Sequence, residues 1–253
     1  MSVFIPFPQP MVIGQLRRRY KRFLADIVLP DGQEVVAHCA NTGSMRGLTT
    51  PDSPALVWHT DDPKRKLKWS WKAVKANTGS WVGIDTGLPN RLVAEAIAAD
   101  AVPGLEGATE IKREQKMGAN SRVDVVARGV WGRAWVEVKN VTLVDTDDED
   151  GQGRGVARFP DAVTARGRKH LVELAERVRE GDRAMMVFVV QRDDAKVFAP
   201  ADDIDHAYGE SFREAVAVGV EVCVLSASVS AEGVRVVGTL PWHHSLDEAQ
   251  GDA

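Results

Sequence analysis

Trp135-Val136-Glu137-Val138-Lys139 is the stretch from which the second half of the chain is best interpreted. Apolar and charged residues alternate through it, and side chains in a strand alternate between the two faces. Glu137 and Lys139 are therefore predicted to share one face, with Val136 and Val138 on the other. A carboxylate and an ammonium group then lie side by side on a strand that otherwise looks buried. Alone, the Glu-x-Lys pattern is a weak signal, because it is common as a surface contact on half-exposed strands.

A second alternating run, Arg122-Val123-Asp124-Val125-Val126, lies shortly before this stretch. The turn candidates Gly129 and Gly132 separate the two runs, so the runs are predicted to pair as a hairpin. That pairing brings Asp124 next to Glu137. Two carboxylates and a lysine at one sheet edge can hold Mg²⁺ and position a water for attack on a phosphodiester.

The composition argues against a membrane-spanning or secreted protein. The chain has 253 residues, 44% of them hydrophobic, which suffices for two modest domains or one large one. It has no apolar run long enough to span a bilayer and no basic segment before an apolar core at its N-terminus. Cys39 and Cys223 lie far apart in apolar runs, so we expect reduced core thiols in a cytoplasmic protein.

The charge is distributed unevenly. The net charge is −4, yet residues 1–85 carry 12 Lys and Arg against 7 Asp and Glu, and the remainder carries 20 against 29. A basic N-terminal part on an acidic chain indicates that this part meets an anionic partner. The acidic overall balance argues against a protein that binds any polyanion along its whole surface.

Residues 12–84 contain several short alternating runs separated by turn signals, and no long helical period. A five-stranded barrel of the oligonucleotide-binding (OB) kind fits this spacing, with a generic small β-domain as the alternative. Two basic runs, residues 17–22 and residues 64–72, interleave cations with aromatic rings. The cations can neutralise phosphates, and the rings can stack on bases. A solvated turn whose tryptophans pack inward explains the same pattern. The predicted nucleic-acid contacts here are Arg17, Arg18, Arg19, Lys21, Arg22, Lys64, Arg65, Lys66, Lys68 and Trp69.

The tetrapeptide Asn-Thr-Gly-Ser occurs twice, at 41–44 and 77–80. Asn and Gly tolerate positive φ, so both copies are predicted to form tight turns. Backbone amides in such turns can cradle a phosphate, and turn formation alone explains the repeats about as well.

From residue 86 the pattern predicts helix, three strands, helix, strand, helix and two strands, which is an α/β sandwich with a mixed sheet. The first helix, with Asn90 as its candidate cap, carries Glu95 near the edge of its apolar stripe, as a solvated flank or an inward ligand. The second helix carries Arg166 and Lys169 in its basic first turns, where they can contact a phosphate. The acidic loop 145–153 lacks the spacing of a calcium loop and is predicted to be a solvated insertion. This order of elements is the layout of PD-(D/E)xK phosphodiesterases.

In six stretches, among them 121–124 and 136–143, the sequence also resembles the sugar fermentation stimulation protein A (SfsA) family. The resemblance implies a DNA-binding protein described as a regulator of sugar (maltose) metabolism genes. It implies an OB-like small β-barrel in residues 1–85, followed by a PD-(D/E)xK nuclease-like α/β domain in residues 86–253. The acidic loop is longer than the family leads us to expect. The matching stretches, which together span nearly the whole chain, are 16–26, 38–45, 90–92, 121–124, 136–143 and 159–167.

Carried over to this chain, the resemblance implies metal ligands at Asp124 and Glu137, with the main-chain carbonyl of Val138 as a third. Lys139 would orient or activate the attacking water, or stabilise charge on the phosphate. Glu95 would act as an accessory acid. Arg166 and Lys169 would contact phosphates. Carboxylate oxygens without His or Cys ligands favour Mg²⁺ or Mn²⁺.

The sequence thus predicts a cytoplasmic, Mg²⁺-dependent, nuclease-like protein with DNA as its partner. RNA or single-stranded nucleic acid is an alternative partner, and a homodimer is one option for its assembly. Two other functions stay open. One is a transcriptional regulator that keeps the nuclease fold for DNA binding without cleavage, and the other is a metabolic enzyme that binds a small phosphorylated ligand.

Overall fold

The computed structural model describes residues 3–118, 121–145 and 155–251, which form a small barrel and a larger sandwich of helices around a sheet. The strands are β1 (Phe4–Pro6), β2 (Met11–Tyr20), β3 (Leu24–Val28), β4 (Glu34–Cys39), β5 (Pro54–His59), β6 (Trp69–Lys75), β7 (Trp81–Gly83), β8 (Glu110–Lys116), β9 (Arg122–Gly129), β10 (Gly132–Val141), β11 (Leu143–Asp145), β12 (Val156–Phe159), β13 (Arg183–Val190), β14 (Val197–Pro200), β15 (Glu221–Val229) and β16 (Gly233–Thr239). The helices are α1 (Leu88–Ala98), α2 (Ala165–Arg179), α3 (His206–Val218) and α4 (Leu246–Gly251).

Strands β2 to β6 close into a five-stranded barrel in the order β4-β3-β2-β5-β6. A parallel pairing of β4 with β6 completes the ring, and β7 extends β6 on its other side. Because side chains alternate along a strand, every second side chain points into the interior of the barrel. Leu16, Ile27 and Trp71 are buried there. The closed ring confirms the predicted five-stranded barrel.

The larger unit is built on a seven-stranded sheet in the order β1-β16-β15-β13-β10-β9-β8. β13 pairs in parallel with β10 and β15, and the other pairs are antiparallel, so the sheet is mixed as predicted. Helix α1 packs in the core on one face, and α2 and α3 pack in the core on the other. The apolar run of β13 lies between these cores, and no residue from 184 to 190 is more than 2% exposed.

The predicted hairpin is present. β9 and β10 pair from Gly132↔Gly129 to Val136↔Val125, and continuing this register by one residue places Glu137 opposite Asp124. Val136 and Val138 belong to the core that contains α1. Alternation therefore turns Glu137 and Lys139 toward the side of the sheet that carries α2.

Three features of the fold go beyond what was predicted from the sequence. β1 pairs with β16, so the first described residues belong to the large sheet, while β2 to β6 form the barrel. The chain leaves the large sheet after β10. The next strand, β11, belongs to a separate three-stranded sheet in the order β11-β12-β14. The C-terminal segment contains α4, with Ala249 buried against β14. The acidic loop lies outside the described residues from position 146 onward.

Both Asn-Thr-Gly-Ser copies are contact points between the barrel and the sandwich. The Ser44 hydroxyl donates to the carbonyl oxygen of Asp161 at 2.9 Å and to its carboxylate at 3.0 Å. The hydroxyls of Thr78 and Ser80 donate to the carboxylates of Asp194 and Asp193. The repeated hydroxyl groups thus bind aspartates of the second unit in the same way at two places.

The remaining observations concern the thiols and the membrane. Cys39 and Cys223 are both free and buried, which confirms their prediction as core thiols. Burial raises the pKa of Cys223 to about 12. Among the helices in the described ranges, none combines the length and the apolar character that crossing a bilayer needs.

The core beside α2 and α3 allows a direct test. Phe188 is fully buried, and its ring stacks on Phe198 at a centroid distance of 4.3 Å. We expect Phe188→Ala to lower the free energy of unfolding by about 3–5 kcal/mol, because it removes apolar burial and leaves a cavity. Urea denaturation measures this, and Phe23→Ala is the matched control, since Phe23 is 46% exposed. Similar losses for the two variants would contradict the assigned core.

Candidate active site

The carboxylate of Asp124, on β9, is held by two hydrogen-bond donors. The backbone N–H of Val138 donates to Oδ2 at 2.8 Å, and the amide of Asn90 donates to Oδ1 at 2.6 Å. Burial and the negative charge of Glu137 raise the pKa of Asp124, although the bond from Val138 and the charge of Lys139 act in the other direction. A cation beside this carboxylate would favour its ionised form.

Glu137 is a buried carboxylate, only 2% exposed. Its Oε1 accepts a hydrogen bond from Lys139 Nζ at 2.6 Å and contacts His170 Nδ1. Burial raises the pKa of Glu137, but the bond with His170 and the charge of Lys139 outweigh burial and hold the pKa below its ordinary value. Its Oε2 is buried without a hydrogen-bond partner among the described residues. An ionised carboxylate with one unpartnered oxygen needs an explanation, and a bound cation supplies one.

Lys139 and His170 surround the partnered oxygen of Glu137. Lys139 Nζ also lies 3.4 Å from His170 Nδ1, and Arg166 Nε lies 3.4 Å from the other ring nitrogen of His170. His170 was not among the site residues predicted from the sequence. Its contact with Glu137 depends on how α2 packs on the sheet, and the only sequence signal was its spacing of four residues from Arg166.

Asn90 connects Asp124 to a further carboxylate. Its amide nitrogen also lies 3.3 Å from Glu114 Oε1, so the nitrogen stands between the two acids. Glu114 is on β8, and the pairs on either side of it place it opposite Asp124 on β9. Its φ is +53°, which is strained for a residue with a side chain. Sequence reasoning did not assign Glu114 to the site, because its strand was only weakly patterned.

Glu95 lies outside this cluster. Its carboxylate accepts a hydrogen bond from Arg91, one turn earlier on α1, at 2.7 Å, and its side chain is 42% exposed. Glu95 therefore lies at the solvent-exposed edge of the apolar stripe of α1, which is the first of the two predicted positions. The helix begins at Leu88, so Asn90 lies inside the first turn rather than at the predicted cap position. The side chain that α1 supplies to Asp124 is therefore Asn90.

A cleft of about 690 Å³ opens beside Asp124. Arg166 and Lys169, both predicted as phosphate contacts, line it, so the structure brings them to the carboxylates. Lys116 and Arg122 also line it and were not foreseen as site residues. The lining residues are Glu114, Lys116, Ser121, Arg122, Asp124, Arg166, Lys169 and His170.

The arginines of the first basic run are bound within the barrel. Arg17 pairs with Asp52, and Arg18 pairs with Asp26 at 2.7 Å. Arg19 donates to three backbone carbonyls, and Arg22 Nε donates to the carbonyl of Thr42 at 2.9 Å. Lys21 lies in the turn between β2 and β3 and is exposed. Most of this run therefore holds the barrel and the 41–43 turn in place.

The second basic run is less strongly bound. Arg65 donates to the Ser70 hydroxyl at 2.7 Å, and Lys68 donates to the carbonyl of Asp62 at 2.7 Å. The Trp69 ring packs at 4.9 Å from the ring of His59 and is partly buried. Lys64 and Lys66, the remaining predicted contacts, are exposed.

The residues at the base of the cleft fit a divalent cation of the hard type. Across the described ranges no three His, Cys, Asp or Glu side chains are arranged as a complete metal cage. The carboxylates of Asp124 and Glu137 are the proposed side-chain ligands. Further ligands have to come from the main chain, as predicted for the carbonyl of Val138, or from water. Oxygen donors of this kind suit Mg²⁺, Mn²⁺ or Ca²⁺. The unpartnered Oε2 of Glu137 supplies the free donor atom.

Comparison with known proteins gives consistent matches over most of the chain. A family model described as the SfsA N-terminal OB domain matches residues 18–84, and one described as the sugar fermentation stimulation protein RE domain matches residues 87–233. The sugar fermentation stimulation protein homolog of Geobacter sulfurreducens is 51% identical over 92% of this chain and 97% of its own. The homolog of Maricaulis maris is 46% identical over 91% of this chain and 95% of its own.

A solved structure also matches. The structure of Pyrococcus furiosus SfsA in complex with Ca²⁺ superposes with a TM-score of 0.83 at 25% identity. The match covers 96% of this chain and 99% of that one. The arrangement of barrel and sandwich described above is therefore shared with an SfsA protein.

The raised pKa of Asp124 leads to a prediction about stability. A folded-state pKa above the unfolded value gives stability that is present at low pH and lost as pH rises through the folded pKa. At neutral pH the metal-free protein therefore carries an unfavourable charge that an amide removes. We expect Asp124→Asn in EDTA to raise the free energy of unfolding by on the order of 1 kcal/mol at pH 7.

This gain is expected to shrink as pH falls to the range in which Asp124 is protonated in both states. Urea denaturation at several pH values measures it, and Glu176→Gln on the exposed side of α2 is the control. A variant less stable than wild type at pH 7, with the difference vanishing in acid, would show that folding lowers the pKa of Asp124.

Proposed function

The chain belongs to the sugar fermentation stimulation protein (SfsA) family, and we propose that it is a DNA-binding protein whose divalent-metal site hydrolyses phosphodiester bonds. The observation that carries the proposal is the unpartnered, buried oxygen of Glu137 beside Asp124 and Lys139. These three groups lie next to a cleft lined by cations, where a phosphate would be attracted.

The order of elements around the site supports a PD-(D/E)xK fold. Helix α1 is followed by β8, by β9 with Asp124 and by β10 with Glu137 and Lys139. After the short strands β11 and β12 come α2 and β13. The two acids lie on neighbouring strands, and the lysine lies two residues after the second acid. The spacing of Asp124, Glu137 and Lys139 along the chain thus supports the proposal together with the pairing of β9 and β10.

Asp124, Glu137 and the main-chain carbonyl of Val138 would hold the metal. The related Pyrococcus furiosus protein was solved with Ca²⁺, which supports a divalent-cation site, and we propose Mg²⁺ or Mn²⁺ as the active ion. When bound, such an ion polarises a phosphoryl oxygen and lowers the pKa of a coordinated water. Its positive charge also offsets the cost of burying the Glu137 carboxylate and of partly burying that of Asp124.

The neighbouring side chains would carry the remaining roles. Lys139 presents its ammonium group beside Glu137, where it can orient the attacking water or stabilise negative charge on the phosphate. His170 holds the Glu137 carboxylate from α2, so it positions a metal ligand. Arg166 and Lys169 line the cleft on the same helix, where they would contact phosphates of the DNA. On the barrel, the exposed Lys64 and Lys66 beside Trp69 would add contacts outside the cleft.

One observation favours the alternative of a DNA-binding regulator that does not cleave. In the protein without metal, Lys139 and Glu137 are bound to each other at 2.6 Å, so each neutralises the other. A site held in this form would keep the fold and the cationic cleft while lacking a reactive ligand set.

Cleavage assays decide between the two functions. Wild type is expected to nick or cleave DNA with Mg²⁺ or Mn²⁺, and Asp124→Ala and Lys139→Ala are expected to lose at least about 100-fold in rate. Single- and double-stranded DNA and RNA are compared in one series, with Glu176→Gln as the control. Equal rates in wild type and both site variants would overturn the nuclease assignment. DNA binding by wild type without any cleavage would favour the regulator.

Glu95→Gln belongs in the same series. Because its carboxylate pairs with Arg91 at the surface, we expect the rate to stay within about threefold of wild type. A loss as large as that of Asp124→Ala would show that Glu95 joins the site when DNA is bound.

Metal binding can be measured without a cleavage assay, because an ion that binds the folded protein raises its free energy of unfolding. At a Mn²⁺ concentration 100-fold above Kd, wild type is expected to gain about 2.7 kcal/mol in free energy of unfolding. Glu137→Gln keeps the size of the side chain and removes its charge, so this gain is expected to be largely lost. An equal gain in wild type and Glu137→Gln would place the ion elsewhere.

A further inference from the structure

We propose that Tyr208 of α3 is a positioning residue of the metal site, whose buried hydroxyl donates a hydrogen bond to Oε2 of Glu137, directly or across one water molecule. This inference rests on the proposed function, because it concerns how a proposed metal ligand is held. It goes beyond that function by giving a role to α3, whose residues are not among the described residues that line the cleft.

The hydroxyl of Tyr208 is an unsatisfied donor inside the core. The side chain is fully buried, and the hydroxyl has no hydrogen-bond partner in the part of the chain that the structure describes. A buried tyrosine hydroxyl ordinarily binds a partner, because leaving it unsatisfied costs free energy. Burial raises the pKa of Tyr208 well above its ordinary value, and the negative charges of Glu137 and Asp205 raise it further. The hydroxyl therefore stays protonated and can donate to a carboxylate.

The packing of α2 against α3 places the Tyr208 ring behind the site. A Cβ placed on Gly167 of α2 would lie 3.1 Å from Cε2 of the ring, the atom next to the carbon that bears the hydroxyl. Glycine at this position thus lets the ring approach the backbone of α2. His170, which contacts Glu137, is three residues later on the same helix, so it lies on the same face as Gly167.

Contacts on the sheet side lead to the same place. The Tyr208 ring packs edge-on against Phe159 at a centroid distance of 5.2 Å, and Phe159 lies 5.7 Å from Phe188. Phe188 on β13 is the direct partner of Lys139 on β10, and it belongs to the core that contains α2 and α3. Tyr208 and Glu137 are therefore on the same side of the sheet.

The other carboxylate that acts on Tyr208 is already bound by donors. Asp205, the N-cap of α3, accepts hydrogen bonds from the backbone N–H of Thr164 at 2.8 Å and from that of Tyr208 at 3.1 Å. These bonds use both of its oxygens. Of the buried acceptor atoms without a partner in the described ranges, Oε2 of Glu137 is the one whose residue acts electrostatically on Tyr208. Donor and acceptor are thus matched.

A hydrogen bond and a metal ion can share Oε2, because each carboxylate oxygen has two lone pairs. Lys139 and His170 hold the other oxygen of Glu137, so a donor at Oε2 would fix the carboxylate at both ends. Groups that orient a metal ligand in this way typically contribute about 10–100-fold to metal affinity. Tyr208 would therefore act on the ion through Glu137, without touching it.

The first test compares Tyr208→Phe, which removes only the hydroxyl, with Tyr20→Phe. The chain has two tyrosines, and the hydroxyl of Tyr20 also faces a carboxylate, since it donates to Asp26 at 3.0 Å in the barrel. In calorimetric titration with Mn²⁺ we expect Tyr208→Phe to bind about tenfold more weakly than wild type, and Tyr20→Phe to stay within about twofold. Equal affinities in Tyr208→Phe and wild type would overturn the proposal.

A double-mutant cycle tests the contact itself without metal. Urea denaturation in EDTA at pH 7 compares wild type, Tyr208→Phe, Glu137→Gln and the double variant. We expect Tyr208→Phe to lower the urea midpoint in wild type. Because a hydrogen bond to an ionised group is roughly twice as strong as a neutral one, the lowering should shrink by about half or more in the Glu137→Gln background.

Two results of the cycle would contradict the contact. An equal lowering in both backgrounds would show that Tyr208 and Glu137 act independently. A hydroxyl without any partner gives the opposite sign, since its removal ends a desolvation cost and raises the midpoint in both backgrounds.

These outcomes are distinguishable from the fate of the proposed hydrolysis. Coupling in the cycle together with weaker Mn²⁺ binding by Tyr208→Phe supports the role of Tyr208 even when wild type cleaves no DNA. Cleavage by wild type without coupling in the cycle keeps the hydrolase and overturns the role of Tyr208. A wild type that binds no Mn²⁺ overturns both, because the role concerns a metal ligand.

Discussion

A negative charge buried between a sheet and a helix is the constraint on which the site depends. Glu137 lies on β10, with almost no solvent contact, and an isolated carboxylate in such a place would be strongly destabilising. Lys139 from the same face of the strand and His170 from α2 together offset this cost at one oxygen. The other oxygen has no hydrogen-bond partner in the part of the chain that the structure describes, so one strong ligand atom stays available inside the core.

Rigid elements hold this arrangement. The β9–β10 hairpin fixes Asp124 beside Glu137 through backbone pairing, and the N–H of Val138 binds the Asp124 carboxylate directly. Helix α1 contributes Asn90 from its first turn. The barrel is tied to the same region, since Ser44 bonds Asp161 in the segment that leads into α2. Contacts of the barrel and the placement of His170 are therefore linked through one short stretch of chain.

Alternation along a strand is a short-range property, which is why the hairpin, its register and the shared face of Glu137 and Lys139 were predictable from sequence. The small sheet of β11, β12 and β14 was not, because strands of three or four residues carry too few side chains to show a period. The position of Glu95 relative to the site could not be derived from the sequence for another reason. A helix stripe shows which residues are buried, but the side chain that reaches a neighbouring strand depends on where the helix begins and how it packs. The same dependence hid the contact between His170 and Glu137.

The net charge of a segment does not show where an anion binds in the folded protein. The basic N-terminal part predicted an anionic partner for the barrel, yet Arg17, Arg18 and Arg19 are bound by acids and carbonyls that come from other parts of the chain. The acidic second part also holds weakly paired cations, which β8, β9 and α2 bring to one cleft from three separate segments. A field that attracts a phosphate depends on charges that lack local partners, not on their number along the chain. The pairing of each cation in the folded protein is thus the better guide to where an anion binds.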